Sequence, residues 1–325
     1  MGSPNDETQQ QTEALANQGY EFLDEEEYEK ALEVARKLEE LHYTAAFEIA
    51  ALAHDGMGNL DEAVRALHRG VDVAPDCWPN WQLLGNYLSD LERYEEAEAS
   101  YEQALQCKKV WEPSIRLNQA ILAGRRDQYE KALELLEHVD SPELALRVAE
   151  HQIVNLNHLG RTDEALTQAT QVLAENRDNE EQRESLGRIA ATLGQIRRAA
   201  GDDKEELRAF ALTWLEVDPI SESLFELLRD LDGLFADAVQ YYWLFLHAEL
   251  PADHPLAADV AGYFVSYGVI AESAQEALEF ARRLEEDDLA PLLEIEEIQQ
   301  TLEVEPSEPK GVCRRTGRSF YESEE

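Results

Sequence analysis

The sequence predicts an all-α fold: a solenoid of stacked antiparallel helix pairs, about eight of them. Three observations predict it. One acidic phrase recurs along the chain at an almost constant interval, the apolar residues around each copy follow helical rather than alternating spacing, and Gly, Asp or Pro punctuates the junctions.

The phrase runs Asp24 to Ala31, Gly58 to Ala63, Leu91 to Ala97, Asp127 to Ala132 and Gly160 to Ala165. Its closing alanines lie 32, 34, 35 and 33 residues apart. Weaker copies follow at Gly201 to Leu207, Gly233 to Ala238 and Ile270 to Ala277. Each has a physical reading. The Gly or Asp ends one helix, where a left-handed residue is needed. The acidic residues that follow suit the positive N-terminal end of the next helix. A Tyr or Leu three residues before the first four alanines packs into the angle between two helices. The Ala sits where two backbones approach too closely for a larger side chain.

The cleanest unit spans Trp78 to Lys109. Its first helix presents Trp81, Leu84, Gly85 and Leu88 on one face, and its second presents Ala97, Tyr101, Ala104 and Leu105. The preceding unit closes at Pro75, which cannot continue a helix. Through Trp81, Leu84, Gly85, Ala97, Tyr101 and Ala104, with Pro75 and Pro219 as closing prolines, the chain resembles the tetratricopeptide-repeat family. The resemblance implies a right-handed superhelix whose concave groove holds an extended peptide or a partner helix. It is regular over residues 12–177 and looser over 178–285. The repeat around Ala132 departs from it at Arg116 and Gln119, and the segment from Asn176 to Gly201 is too long for a standard first helix. The aromatic residues between Ser221 and Glu285, among them Phe225, Tyr242, Trp243 and Phe264, are read as the core of larger, less regular repeats. Polar residues 1–11 are expected to form a disordered tail. A helix over 286–303, carrying Glu294, Glu296 and Glu297, is expected to cap the stack. Residues 304–325 form a basic, aromatic tail.

Composition bounds the function. The chain has 69 acidic and 28 basic residues, a net charge of −41. Such a surface repels phosphate backbones, so nucleic acid is not an expected partner, and a basic protein or peptide is. The same charge also fits solubility in a salty cell. The polar stretch Met1 to Gln11 is not expected to be a secretory signal, and no apolar run reaches the length of a membrane helix. Cys77, Cys107 and Cys313 stand apart, which fits a reducing, cytoplasmic setting.

The sequence carries no P-loop, nucleophile elbow, dinucleotide-binding fingerprint or HExxH. His151, Asn155 and His158 could share a helical face, but a metal site would need a third ligand and supporting partners. No catalytic residue, metal or cofactor is expected, and Cys77 reads as a small apolar residue.

Some proteins of the resembled family clamp a C-terminal carboxylate with Lys, Asn, Asn, Lys and Arg on three successive first helices. The places here are Gln82, Asn86, Asn118, Arg147 and His151: both Asn match, Arg147 keeps a charge, and Gln82 and His151 do not. The second candidate is the tail, where Arg314, Arg315, Arg318, Phe320 and Tyr321 form a docking motif or an internal peptide that folds back on the acidic body. The expected function is a scaffold or adaptor that binds a peptide or partner helix in its groove. The alternative is an acidic regulatory or assembly subunit that sequesters basic proteins through surface charge.

Overall fold

Six of the eight phrases lie in turns between consecutive helices of the computed structural model, which describes residues 4–251, 254–258, 260–286, 288–301, 304 and 307–322. The chain divides into two compact units, residues 1–148 and 149–325. The first holds α1 (Pro4–Asp24), α2 (Tyr28–Glu40), α3 (Ala45–Gly56), α4 (Leu60–Val73), α5 (Trp78–Asp90), α6 (Tyr94–Gln106), α7 (Glu112–Arg125) and α8 (Tyr129–Leu136), and α9 (Ala145–His158) begins there. The second continues with α10 (Thr162–Asn176), α11 (Arg183–Ala200), α12 (Lys204–Leu215) and α13 (Glu222–Asp232).

The six turns share one hydrogen-bond pattern. In each, an N–H two or three residues past the helix end donates back to a carbonyl five residues earlier: Glu27 to Phe22 (2.8 Å), Asn59 to His54 (2.8 Å), Arg93 to Leu88 (2.8 Å), Gln128 to Ala123 (2.9 Å), Arg161 to Leu156 (2.9 Å) and Asp202 to Arg197 (3.1 Å). The motif needs a left-handed residue just before the donor. Gly58, Gly160 and Gly201 supply it at φ +73°, +73° and +91°, and Asp127 supplies it at φ +56°. In the first and third turns the place falls to Glu26 (φ 59°) and Glu92 (φ 58°), not to the residue that opens the phrase. A side chain there crowds the following carbonyl. Glu92→Gly is therefore expected to raise the unfolding free energy by about 0.5–1 kcal/mol, and Gly58→Ala to lower it by about 1 kcal/mol. Urea unfolding of both variants checks this. A lowered midpoint for Glu92→Gly contradicts it.

The first unit is built on the predicted alternation of small and large residues. Ala31, Ala63, Ala97 and Ala132 are fully buried, with Leu38, Leu67, Leu84 and Leu88 filling the space around the first three. Tyr101 lies against Gly85 so closely that a Cβ there would stand 2.5 Å from its ring. The Trp81 indole donates to the Pro75 carbonyl (2.9 Å), fixing the turn that closes the preceding pair.

The second unit departs from the all-α expectation. After α13 come β1 (Gln240–Glu249), β2 (Gly262–Ala271), α14 (Ala274–Arg282), β3 (Glu294–Thr301), β4 (Gly311–Arg315) and β5 (Ser319–Tyr321). They form an antiparallel sheet in the order β3-β1-β2-β4, with β5 also paired to β2. Tyr242, Leu244, Leu246 and Ala248 of β1 and Tyr263, Val265, Tyr267 and Val269 of β2 pack with Ala277, Leu278, Phe280 and Ala281 of α14. Alternate β1 residues face the other way.

Several sequence expectations are corrected here. The stretch 178–285 is helical only to Asp232 before the sheet begins, apart from α14. The aromatic run lies in strands because its period is two: buried Tyr242, Leu244 and Leu246 alternate with Trp243, Phe245 and His247. The phrase at Gly233 precedes a strand, and the one from Ile270 spans the end of β2 and the start of α14, so neither joins two helices. Instead of a capping helix over 286–303, Glu294–Thr301 is a strand, while 287, 302 and 303 lie outside the described residues. The tail over 304–325, expected as a docking motif or an internal peptide folding back on the body, supplies two strands: Gly311–Arg315 and Ser319–Tyr321 pair with β2; residues 305, 306 and 323–325 lie outside the described residues. The expected N-terminal tail is helical from Pro4, and residues 1–3 are not described.

Candidate functional site

Helices α5 and α7 set the site in the first unit. Residues spaced by three or four lie on one helical face. On α5 this gives Gln82, Asn86, Ser89 and Asp90, and on α7 it gives Ser114, Asn118, Ile121 and Arg125. The two stripes bond to each other one repeat apart. Gln82 donates to the Ser114 hydroxyl (2.5 Å), Asn118 to Asn86 Oδ1 (2.9 Å), and Arg125 to Ser89 Oγ (2.9 Å) and Asp90 (2.6 Å). The Tyr101 hydroxyl, packed over Gly85, also donates to Asn86 Oδ1 (2.9 Å). Earlier in the same unit, the Tyr87 hydroxyl donates to Asp55 (3.1 Å) and Tyr20 bonds Glu48. Burial and the facing carboxylates push both phenols upward, so they stay protonated donors.

These bonds border a cavity of about 230 Å³ lined by Asn86, Ser89, Asp90, Tyr101, Asn118, Ile121, Arg125 and Arg147. Of the five groove residues expected from sequence, Asn86, Asn118 and Arg147 meet here, and Gln82 sits one turn earlier on α5. His151 lies further along α9, in the second unit, half-buried, with its backbone carbonyl accepting from Asn155 (2.6 Å). Arg125 and Asp90 complete the site and were missed by sequence reasoning. The signal was present, since Arg125 follows Asn118 by seven residues and Asp90 follows Asn86 by four. With Asn86 Oδ1 occupied by two donors, its amide nitrogen is held in a fixed orientation. Asp90 neutralises Arg125, while Arg147 is exposed. The site therefore offers oriented amides and the exposed cation of Arg147 rather than a ring of charges.

The tail residues occupy a different place. Arg314 bonds Glu222 (2.6 Å). Arg315 and Arg318 converge on Glu285, at 2.7 and 2.6 Å, and its side chain is 0% exposed. The Tyr263 hydroxyl donates to the same carboxylate (3.2 Å), as does that of Tyr267. Each guanidinium also lies over a tyrosine ring: Arg315 over Tyr267 (5.5 Å) and Arg318 over Tyr263 (5.0 Å). Phe320 is 50% exposed beside Tyr263, and Tyr321 reaches His247 (2.6 Å). The cations of the tail are thus engaged inside the second unit.

Burial pushes the Cys77 thiol upward, away from a reactive thiolate. Among the described residues, no group of three or more His, Cys, Asp or Glu is arranged to hold a metal ion, and no helix is long and apolar enough to cross a membrane.

Residues 79–108 match the tetratricopeptide-repeat family. No curated protein matches the chain in sequence. Among solved structures, a tetratricopeptide repeat protein from Parabacteroides merdae superposes with a TM-score of 0.55 at 18% identity, over 68% of this chain and 84% of that one. PilF of Pseudomonas aeruginosa gives 0.50 at 16% identity, over 70% and 98%. PilW, described as a widely conserved type IV pilus biogenesis factor, gives 0.50 at 17% identity, over 66% and 97%. At these identities the likeness concerns the fold. Residues 79–108 are a tetratricopeptide repeat, and the helix pairs of this chain carry the tetratricopeptide-repeat fold.

Proposed function

We propose that the protein is a non-enzymatic scaffold whose first unit binds an extended segment of a partner protein along α5, α7 and the start of α9. The observation that carries this reading is the hydrogen-bonded pair Asn86 and Asn118, which lines the same cavity as Arg147. Side-chain amides fixed in this way can bond the backbone of an extended chain whatever its sequence, and preorganisation lowers the entropy cost of binding. A right-handed superhelical path of the repeats, as the family resemblance implies, would turn these first helices toward a concave side. The three free thiols support a reducing, cytoplasmic setting.

The partner segment need not end at the site. A carboxylate clamp draws its strength from charge-assisted bonds, and here Asp90 cancels Arg125. Peptides selected on the wild-type protein are expected to bind equally well with free and amidated C-termini. A loss of tenfold or more on amidation (about 1.4 kcal/mol) would restore the clamp. The same peptides are expected to bind Asn86→Ala/Arg147→Glu about tenfold more weakly; unchanged affinity contradicts the proposal.

The charge of −41 favours a basic partner and motivates the second reading, sequestration of basic proteins by surface charge. The two differ in salt dependence. Groove binding should persist at 0.5 M salt, where the Debye length falls to about 4 Å, while sequestration should collapse.

A further inference from the structure

The second unit presents a face that the groove reading does not use. Alternate residues of β1 and β2 lie on the side of the sheet opposite α14, and the register pairs His247 with Phe264, Phe245 with Ser266 and Trp243 with Gly268. The rings form a continuous surface. Phe245 stacks on Phe264 (centroids 5.2 Å, interplanar angle 4°), His247 also stacks on Phe264 (4.6 Å), and Tyr321 lies 5.4 Å from Phe264. Phe245 is 38% exposed, although an outward aromatic on a strand costs the protein solubility. Carboxylates rim this surface. Glu297 of β3 pairs with Phe245, Glu296 bonds His247 (3.1 Å), and the Tyr321 phenol is raised by burial first and then by the charges of Glu249 and Glu296.

We propose that this sheet face docks an arginine-bearing basic segment of a partner protein, with a guanidinium group lying over the exposed Phe245 ring and paired to Glu296 or Glu297. Aromatic faces attract cations, and planar guanidinium does so best because it can stack and bond a carboxylate at once. Charge complementarity selects this occupant. A second copy of a chain with net charge −41 is repelled from a carboxylate rim, and so is a single-stranded nucleic acid, which would otherwise suit an aromatic sheet.

The test titrates the full-length protein with acetyl-(Gly-Arg)4-amide by calorimetry, beside the lysine counterpart and an octauridylate. The arginine peptide should bind, more tightly than the lysine peptide, and the oligonucleotide should not. Phe245→Ala keeps every charge and removes an exposed ring, and should weaken the arginine peptide by about twofold to fivefold, the range for an exposed cation–ring contact. Glu296→Gln/Glu297→Gln should weaken it further and flatten its salt dependence. Asn86→Ala/Arg147→Glu should leave it unchanged, which separates this surface from the groove. Equal affinity for wild type and Phe245→Ala, with unchanged circular dichroism, would overturn the proposal. So would tighter binding of octauridylate, or a dimer in sedimentation that Phe245→Ala abolishes.

Discussion

Glu285→Gln is expected to lower the stability of the second unit by about 3 kcal/mol. The carboxylate is sealed from solvent and is the shared acceptor of Arg315, Arg318, Tyr263 and Tyr267. Removing its charge leaves two guanidinium groups with exposures of only 12% and 20% sharing one neutral amide, although Arg318 keeps Glu286 at 3.3 Å. Breaking a fully buried pair costs about 3–5 kcal/mol, and the small remaining exposure of the arginines places this case at the low end. The Tyr263 and Tyr267 phenols, pushed upward by burial and by Glu285, remain donors and would lose their charged acceptor. Deleting residues 306–325 should act on the same node from the other side, since it takes away β4, β5 and both arginines. Denaturant unfolding followed by circular dichroism measures both. The sheet should melt earlier in each variant, and an unchanged midpoint for Glu285→Gln would show that the node contributes nothing net.

Gly85→Leu should destabilise the first unit by about 3 kcal/mol, with Gly85→Ala a smaller step in the same direction. Ala favours a helix over Gly by about 1 kcal/mol, so propensity alone predicts the opposite sign. Sterics decide, because the added Cβ would lie 2.5 Å from Cε1 and 2.7 Å from Cδ1 of Tyr101. That ring is buried, and its hydroxyl holds Asn86. The substitution should therefore also weaken peptide binding, although residue 85 does not line the cavity. Thermal unfolding and peptide affinity measured on the same variants check both effects. A more stable Gly85→Ala would mean that Tyr101 moves aside freely.

The helical part of the fold was legible because it repeats. Ala31, Ala63, Ala97 and Ala132 mark the close contacts, and the left-handed turn returns at each copy even where Glu26 or Glu92 must adopt it. Periodicity then misled at the C-terminal end. The segment from Ile270 to Ala277 imitates the phrase, yet Ile270 and Ala271 end a strand. The alternation of Tyr242, Leu244 and Leu246 with Trp243, Phe245 and His247 was in the sequence, and reading the aromatics as repeat core hid it. The strands at 294–301 and 311–321 had no such signal of their own. Glu294, Glu296 and Glu297 suit a helix surface equally well, and their strand conformation depends on the partners β1 supplies. At the candidate site, Asn86, Asn118 and Arg147 were found by their place in the repeat. Arg125 was missed because its partners Ser89 and Asp90 sit 36 and 35 residues away.

The groove on the first unit is tested most directly by amide hydrogen exchange, comparing the free protein with the protein bound to its selected peptide. Slowed exchange should concentrate in α5, in α7 and at the start of α9, with little change in β1, β2 and β3. Protection confined to the sheet, or spread evenly over the acidic surface, would contradict a groove in the first unit as the binding site.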